Sequence, residues 1–155
     1  MRLVAPLALL LACASSPPPP SERPLAGTSS VQRNAATLEL RSYYSVKADR
    51  SIELLVDLTP GGTGSVGPVD LALTTAGFLI DGPATWQGEP AAPKTRVTFV
   101  LRPQGDGGKW AKVIFKSAAG ETSSFSAFLV TPDEIRLCQQ DDDPCKSIRD
   151  PSPAP

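Results

Sequence analysis

The stretch SIELLVDLT, Ser51–Thr59, decides the fold. Ile52, Leu54, Val56 and Leu58 fall on every second position, and Glu53 and Asp57 lie between them. Alternation with a period of two puts apolar side chains on one side of an extended chain and carboxylates on the other, the pattern of a half-buried strand. Neighbouring segments repeat it. VDLALT (Val69–Thr74) sets Val69, Leu71 and Leu73 against Asp70 and Thr74. KTRVTFVLR (Lys94–Arg102) aligns Val97, Phe99 and Leu101. WAKVIFKS (Trp110–Ser117) aligns Ala111, Val113 and Phe115 against Lys112 and Lys116, and TSSFSAFLV (Thr122–Val130) aligns Phe125, Ala127 and Leu129 as its core face. TLELRSYY (Thr37–Tyr44) and GFLID (Gly77–Asp81) are weaker runs of the same kind. Turn residues separate them: Ala48-Asp49-Arg50, the Gly61–Pro68 loop, Asp81-Gly82-Pro83, Gly105–Gly108 and Ala118–Gly120. No segment carries a helical stripe. The expectation is an all-β chain, a single antiparallel β-sandwich of about seven strands spanning residues 37–132.

One part of this span carries a resemblance. VTFVLRPQGDGGKWAKVIF (Val97–Phe115) has an apolar strand, a Leu-x-Pro step, a Gly-containing turn and an aromatic opening the next strand. It resembles the penultimate-strand region of bacterial immunoglobulin-like or fibronectin type III-like domains. Trp110 stands where that family often has Tyr. The family's next core residue would fall at Lys112, whereas Val113 follows one position later.

Flanking segments differ in composition. Residues 1–12, MRLVAPLALLLA, join one basic residue, Arg2, to an apolar run from Leu3 to Leu11. The run is shorter than the roughly 20 residues a membrane-spanning helix needs, and the order matches a secretory signal. Leu10-Leu11-Ala12-Cys13 resembles the lipobox of bacterial lipoproteins. That resemblance implies cleavage before Cys13 and diacylglycerol on its thiol, with palmitate-type chains. Ala14 rather than Asp after the cysteine implies, by the same resemblance, export to the outer membrane. Ala12-Cys13-Ala14 also fits an ordinary signal peptidase site, which would discard Cys13 and leave a soluble secreted or periplasmic protein. Residues 13–36, rich in Pro and Ser, are expected to form a disordered linker, in which polyproline II segments extend about 3.1 Å per residue. Residues 133–155 are expected to be a Cys-containing, acidic and Pro-rich tail, in which Asp133–Cys138 forms a brief strand or turn and the final Pro- and Asp-rich residues are disordered. Cys138 and Cys145 are the two thiols left beside Cys13, and an even remainder in an exported chain predicts a disulfide.

Composition narrows the function. The 155 residues include no histidine and carry a formal net charge of −1. The commonest general base and the commonest transition-metal ligand are therefore missing. No basic patch of nucleic-acid strength is visible. Gly62-Thr63-Gly64-Ser65-Val66-Gly67 matches G-x-G-x-x-G, but it leads into Pro68 and a strand rather than a helix, so a flexible hairpin loop is expected. The same segment fails G-x-S-x-G at Thr63. Asp141-Asp142-Asp143 lacks the alternating oxygens, Gly turn and distal Glu of a calcium loop. Cys138 and Cys145 could take a soft metal, but pairing with each other is the simpler expectation. Glu53 and Asp57 read as the polar side of a sheet. Trp86, Trp110, Tyr43 and Tyr44 could build a platform for sugar rings only if folding brings them together. The expectation is a non-enzymatic envelope lipoprotein without cofactor or metal, held to the membrane through Cys13. Its sandwich would serve as a structural or protein-binding module for an envelope partner. A carbohydrate- or small-ligand-binding module is the alternative.

Overall fold

In the computed structural model, which describes residues 21–151, Ile52, Leu54, Val56 and Leu58 are all but fully buried, as their alternation predicts. They lie on β3 (Ile52–Gly62). It follows β1 (Arg23–Arg33) and β2 (Ala36–Val46) and precedes β4 (Val69–Ala76), β5 (Phe78–Asp81) and β6 (Thr85–Gly88). Then come β7 (Thr95–Pro103), β8 (Gly107–Ser117), β9 (Gly120–Val130), β10 (Ile135–Leu137) and a 3₁₀ turn at Asp143–Cys145. Two antiparallel five-stranded sheets pack face to face as a sandwich, ordered β1-β2-β3-β7-β5 and β10-β9-β8-β4-β6.

The core forms where the inner residues of the two sheets meet. On the first sheet Leu58 lies opposite Leu40, Leu54 opposite Tyr44 and Phe99, and Val56 opposite Val97. On the second, Leu71 lies opposite Phe115, and Leu73 opposite Val113. Phe128 closes one end of the core with edge-on contacts to Tyr44, at 5.4 Å between centroids, and to Phe78, at 5.8 Å. Aromatic pairs prefer this geometry because the positive ring edge meets the negative face.

Turn chemistry explains how the strands connect. Asn34 takes a φ of 54° between β1 and β2, a conformation Asn tolerates better than most residues. Gly77, at φ 78°, is the single residue between β4 in one sheet and β5 in the other. A Cβ there would also collide with the Lys109 side chain, so only glycine allows the chain to change sheets in one step.

All seven expected strands are present, and four expectations need correction. Arg23–Arg33, placed in the 13–36 linker, is an edge strand paired with β2 from Arg23 opposite Tyr44 to Arg33 opposite Ala36. Its inward positions include Ser29, so the alternation that marks a strand is faint. The Gly62–Gly67 loop is not a hairpin: β3 pairs with β2 and β7, while β4 pairs with β8 and β6, so the loop crosses between sheets. Val66, within it, is buried at the end of the core. Phe125, Ala127 and Leu129 do share a side of β9, but it is the outer one. Their register opposite Lys112, Trp110 and Gly108 sets them there, and Ser126, Phe128 and Val130 point inward. Finally, the brief strand expected within Asp133–Cys138 is present as Ile135–Leu137, paired with Val130–Phe128, but order continues past it to the 3₁₀ turn, where disorder was expected. The four-residue β6, missed in the sequence, pairs its Trp86 with Leu71 on the inner side.

Candidate functional site

The surfaces available to a partner are the outer faces of the two sheets, and they are built differently. On the first sheet, Asp57 follows from the same alternation that buries Val56 and Leu58. It points outward from the central strand yet is only 5% exposed. Arg96, its cross-strand partner on β7, donates Nε and Nη2 to the two carboxylate oxygens at 2.6 and 2.9 Å. Lys94 donates at 2.8 Å. Arg96 also reaches Glu22 at 2.6 Å and lies 5.9 Å from the centroid of the Tyr43 ring. Hydrogen bonds from Arg96, then from Lys94, hold the Asp57 carboxyl below its ordinary pKa against the opposing effect of burial. Further along the face, Lys47 pairs with Glu53 at 2.7 Å, and Arg102 pairs with Asp81 at 2.8 Å.

The outer face of the second sheet carries an apolar patch: the Trp110 and Phe125 rings lie 5.9 Å apart at a tilt of 37°, with Ala127 and Leu129 beside them. The chain packs its own C-terminal segment over part of this face. Cys138 and Cys145 are joined in a disulfide, with Cα atoms 6.0 Å apart. The 3₁₀ turn between them packs on β8 and β9. Gly108 makes room for it, since a Cβ there would run into the Pro144 carbonyl and Ile148. Arg136 grips both Asp142 oxygens, at 2.7 and 2.8 Å, and Asp142 also accepts from the Gln139 amide at 2.6 Å. These bonds lower the Asp142 pKa to about 2, the Arg136 bonds contributing most. At the far end, Lys112 meets Asp150 at 2.8 Å, which explains why this lysine is 6% exposed on an outer face.

The structure therefore pairs Cys138 with Cys145 as expected. Cys13 and the signal segment 1–12 lie outside the described residues. Asp142 and Asp143 are engaged by Arg136 and Lys146, and among the described residues no group of three or more Cys, Asp or Glu is placed to hold a metal ion. Glu53 and Asp57 sit on the same side of β3 but in separate ion pairs. The four aromatics do not gather: Tyr44 and Trp86 face inward, Tyr43 lies on the outer side of the first sheet and Trp110 on the outer side of the second. Trp110 is thus not the core-facing aromatic that the immunoglobulin-like resemblance implied. Sequence reasoning missed Lys109, which points inward, 4% exposed, and donates to the Gln104 carbonyl at 2.9 Å. The chain matches no family model, no curated protein and no solved structure.

Proposed function

We propose that this chain is a non-enzymatic envelope lipoprotein, held to the outer membrane through lipid on Cys13, whose sandwich works as a structural or protein-binding module. The observation that carries this reading is the Cys138–Cys145 bond. Structural disulfides belong to oxidising compartments outside the cytosol. The bond also consumes two of the three cysteines, leaving Cys13 as the odd thiol, directly after Leu10-Leu11-Ala12. Two or more acyl chains there would give a stable anchor, where one gives only marginal binding.

Strand order supports the immunoglobulin-like character of the module. With β1 and β10 set aside, β2-β3-β7-β5 and β9-β8-β4-β6 have the neighbours of the A-B-E-D and G-F-C-C′ sheets of such domains. One departure is that β5 precedes β6 along the chain, the reverse of that family. For protein contact the first sheet offers the short edge strand β5. Leu79 on it is the one large apolar side chain exposed among the described residues, and Arg102 is its cross-strand neighbour. Edge strands take partners by main-chain pairing, with side-chain pockets adding selectivity.

The test is the intact mass of the mature N-terminal peptide from a bacterial host, beside Cys13→Ala. An acylated peptide beginning at Cys13, absent from the variant, is the expected result. An unmodified peptide beginning at Ser15 would make the protein a diffusible exported one. A photo-crosslinker at Leu79 should then trap an envelope protein; a chain that stays uncrosslinked and monomeric would remove the protein-binding part.

A further inference from the structure

Along one side of the sandwich the two sheets do not fill the space between them. A cavity of about 130 Å³ lies there, with Leu40, Val56, Val113 and Phe115 as its apolar floor. Hydroxyls surround that floor: Ser29 from β1, Ser42 from β2, and Thr122, Ser123 and Ser124 from β9. The placement follows from register. Ser42 occupies an inward position between Leu40 and Tyr44 and lies opposite Val56, where the rest of β2 supplies large apolar groups. Ser124 lies opposite Val113, and Ser29 opposite Leu40, again as small polar residues at inward positions. Three strands thus reduce side-chain volume at one spot.

Topology leaves this spot accessible. β10 pairs with β9 only over Phe128–Val130, so no strand is paired to the Thr122–Phe125 edge of β9 among the described residues, although β1 of the other sheet runs close to β9. β1 is the edge of the other sheet. The cavity therefore opens between two strand edges rather than being sealed in the core.

We propose that this cavity is a binding site for a small uncharged molecule with an apolar ring-sized body and one hydroxyl or carbonyl group. Size sets the first condition, because a protein cavity of about 150 Å³ admits a benzene ring. Chemistry sets the second. No Lys, Arg, Asp or Glu lines the cavity, so a charged ligand would be desolvated without a counter-charge. The third condition comes from the hydroxyls around the floor, each of which can both donate and accept a hydrogen bond. A ligand hydroxyl or carbonyl would meet these groups at the mouth of the cavity while its apolar body rests on the floor. Tightly packed interiors do not otherwise leave such space, and leucine at these inward positions would close it. This site is independent of the lipid anchor and of the β5 edge.

The experiment uses the full exported chain with methyl-labelled Val and Leu, titrated with phenol and separately with benzoate. Expected is a saturable shift of the Val56 and Val113 methyl signals with phenol and none with benzoate. Ser124→Leu, which fills the cavity from β9, should weaken phenol binding by at least about tenfold, the usual scale for altering the size of a pocket. If that variant does not fold, Ser29→Leu tests the same prediction from the edge strand. No saturable shift with phenol in the wild type would overturn the proposal. Benzoate binding equal to phenol would overturn it, and so would unchanged phenol affinity in a folded filling variant.

Discussion

The two outer faces of the sandwich solve the same problem in opposite ways. On the first sheet, β3 and β7 present charges that satisfy one another: Asp57 with Arg96 and Lys94, Glu53 with Lys47, Asp81 with Arg102. This face remains open to water. On the second sheet, β8 and β9 present Trp110, Phe125, Ala127 and Leu129, and the chain spends residues beyond Cys138 covering them. A face in water can be polar and independent, whereas an apolar face needs a cover, and the cover needs a clip.

The clip is where this contrast breaks most readily. Replacing both Cys138 and Cys145 by Ser removes the closed loop from the unfolded reference, worth about 2–3 kcal/mol in the chain-entropy model for so short a separation. The loss should fall on the docking of the tail more than on the sandwich. Expected are faster hydrogen exchange at the backbone amides of position 138 and Ile148, a red shift of Trp110 fluorescence and little change on the first sheet. Equal destabilisation of both faces would show that the tail is integral to the core rather than a cover.

The opposite face is tested by Asp57→Asn. Breaking a fully buried ion pair by removing one partner costs about 3–5 kcal/mol. Here the carboxylate side chain is 6% exposed, but Arg96 and Lys94 are 32% and 49% exposed and can turn to water. The expected loss is therefore smaller, about 1–2 kcal/mol, seen as a lower midpoint in urea unfolding with the slope unchanged. Asp81→Asn, whose carboxylate is half exposed, should stay within about 0.5 kcal/mol. If the two substitutions cost the same, burial of Asp57 contributes nothing.

The contrast between the faces also explains what the sequence reveals. β3 is buried on one side only, so Ile52, Leu54, Val56 and Leu58 stand out against Glu53 and Asp57, and the strand and its inward side are both legible. β9 is buried on both sides at its C-terminal end, where the tail packs on it. Phe128, Leu129 and Val130 are all buried, and no alternation within them tells inside from outside. The phase chosen for β9 rested on Phe125, Ala127 and Leu129, which belong to the covered face. The cover was hidden for a related reason: its segment is acidic and Pro-rich, and it holds by Arg136–Asp142, Lys112–Asp150 and the disulfide rather than by apolar periodicity. The two cysteines were its one readable mark. β1 was hidden because its inward Ser29 lines the cavity. A site that needs small hydroxyls inside the sandwich weakens the pattern by which a strand is recognised.

Acid should separate the tail from its face without any substitution at the clip. Asp142 has a folded pKa of about 2, below its ordinary value of 3.8, because the carboxylate accepts from Arg136 and from the Gln139 amide. A depressed carboxyl pKa means that the unfolded segment binds the proton more tightly than the docked one. The contribution of Asp142 to docking is therefore complete above about pH 4, and it is lost as pH falls through about 2. Trp110 fluorescence should report a transition in that window, and Asp142→Asn should flatten it. Asp57 is depressed in the same direction, so the first sheet loses stability in acid too. The difference lies in which signal moves: Asp142→Asn should leave the acid response of the first sheet intact, followed through exchange of β3 amides. A variant that abolishes both responses would mean that the two faces unfold as one unit. The tail would then be held by the sandwich as a whole, and the apolar patch around Trp110 would not be a surface that can be uncovered separately.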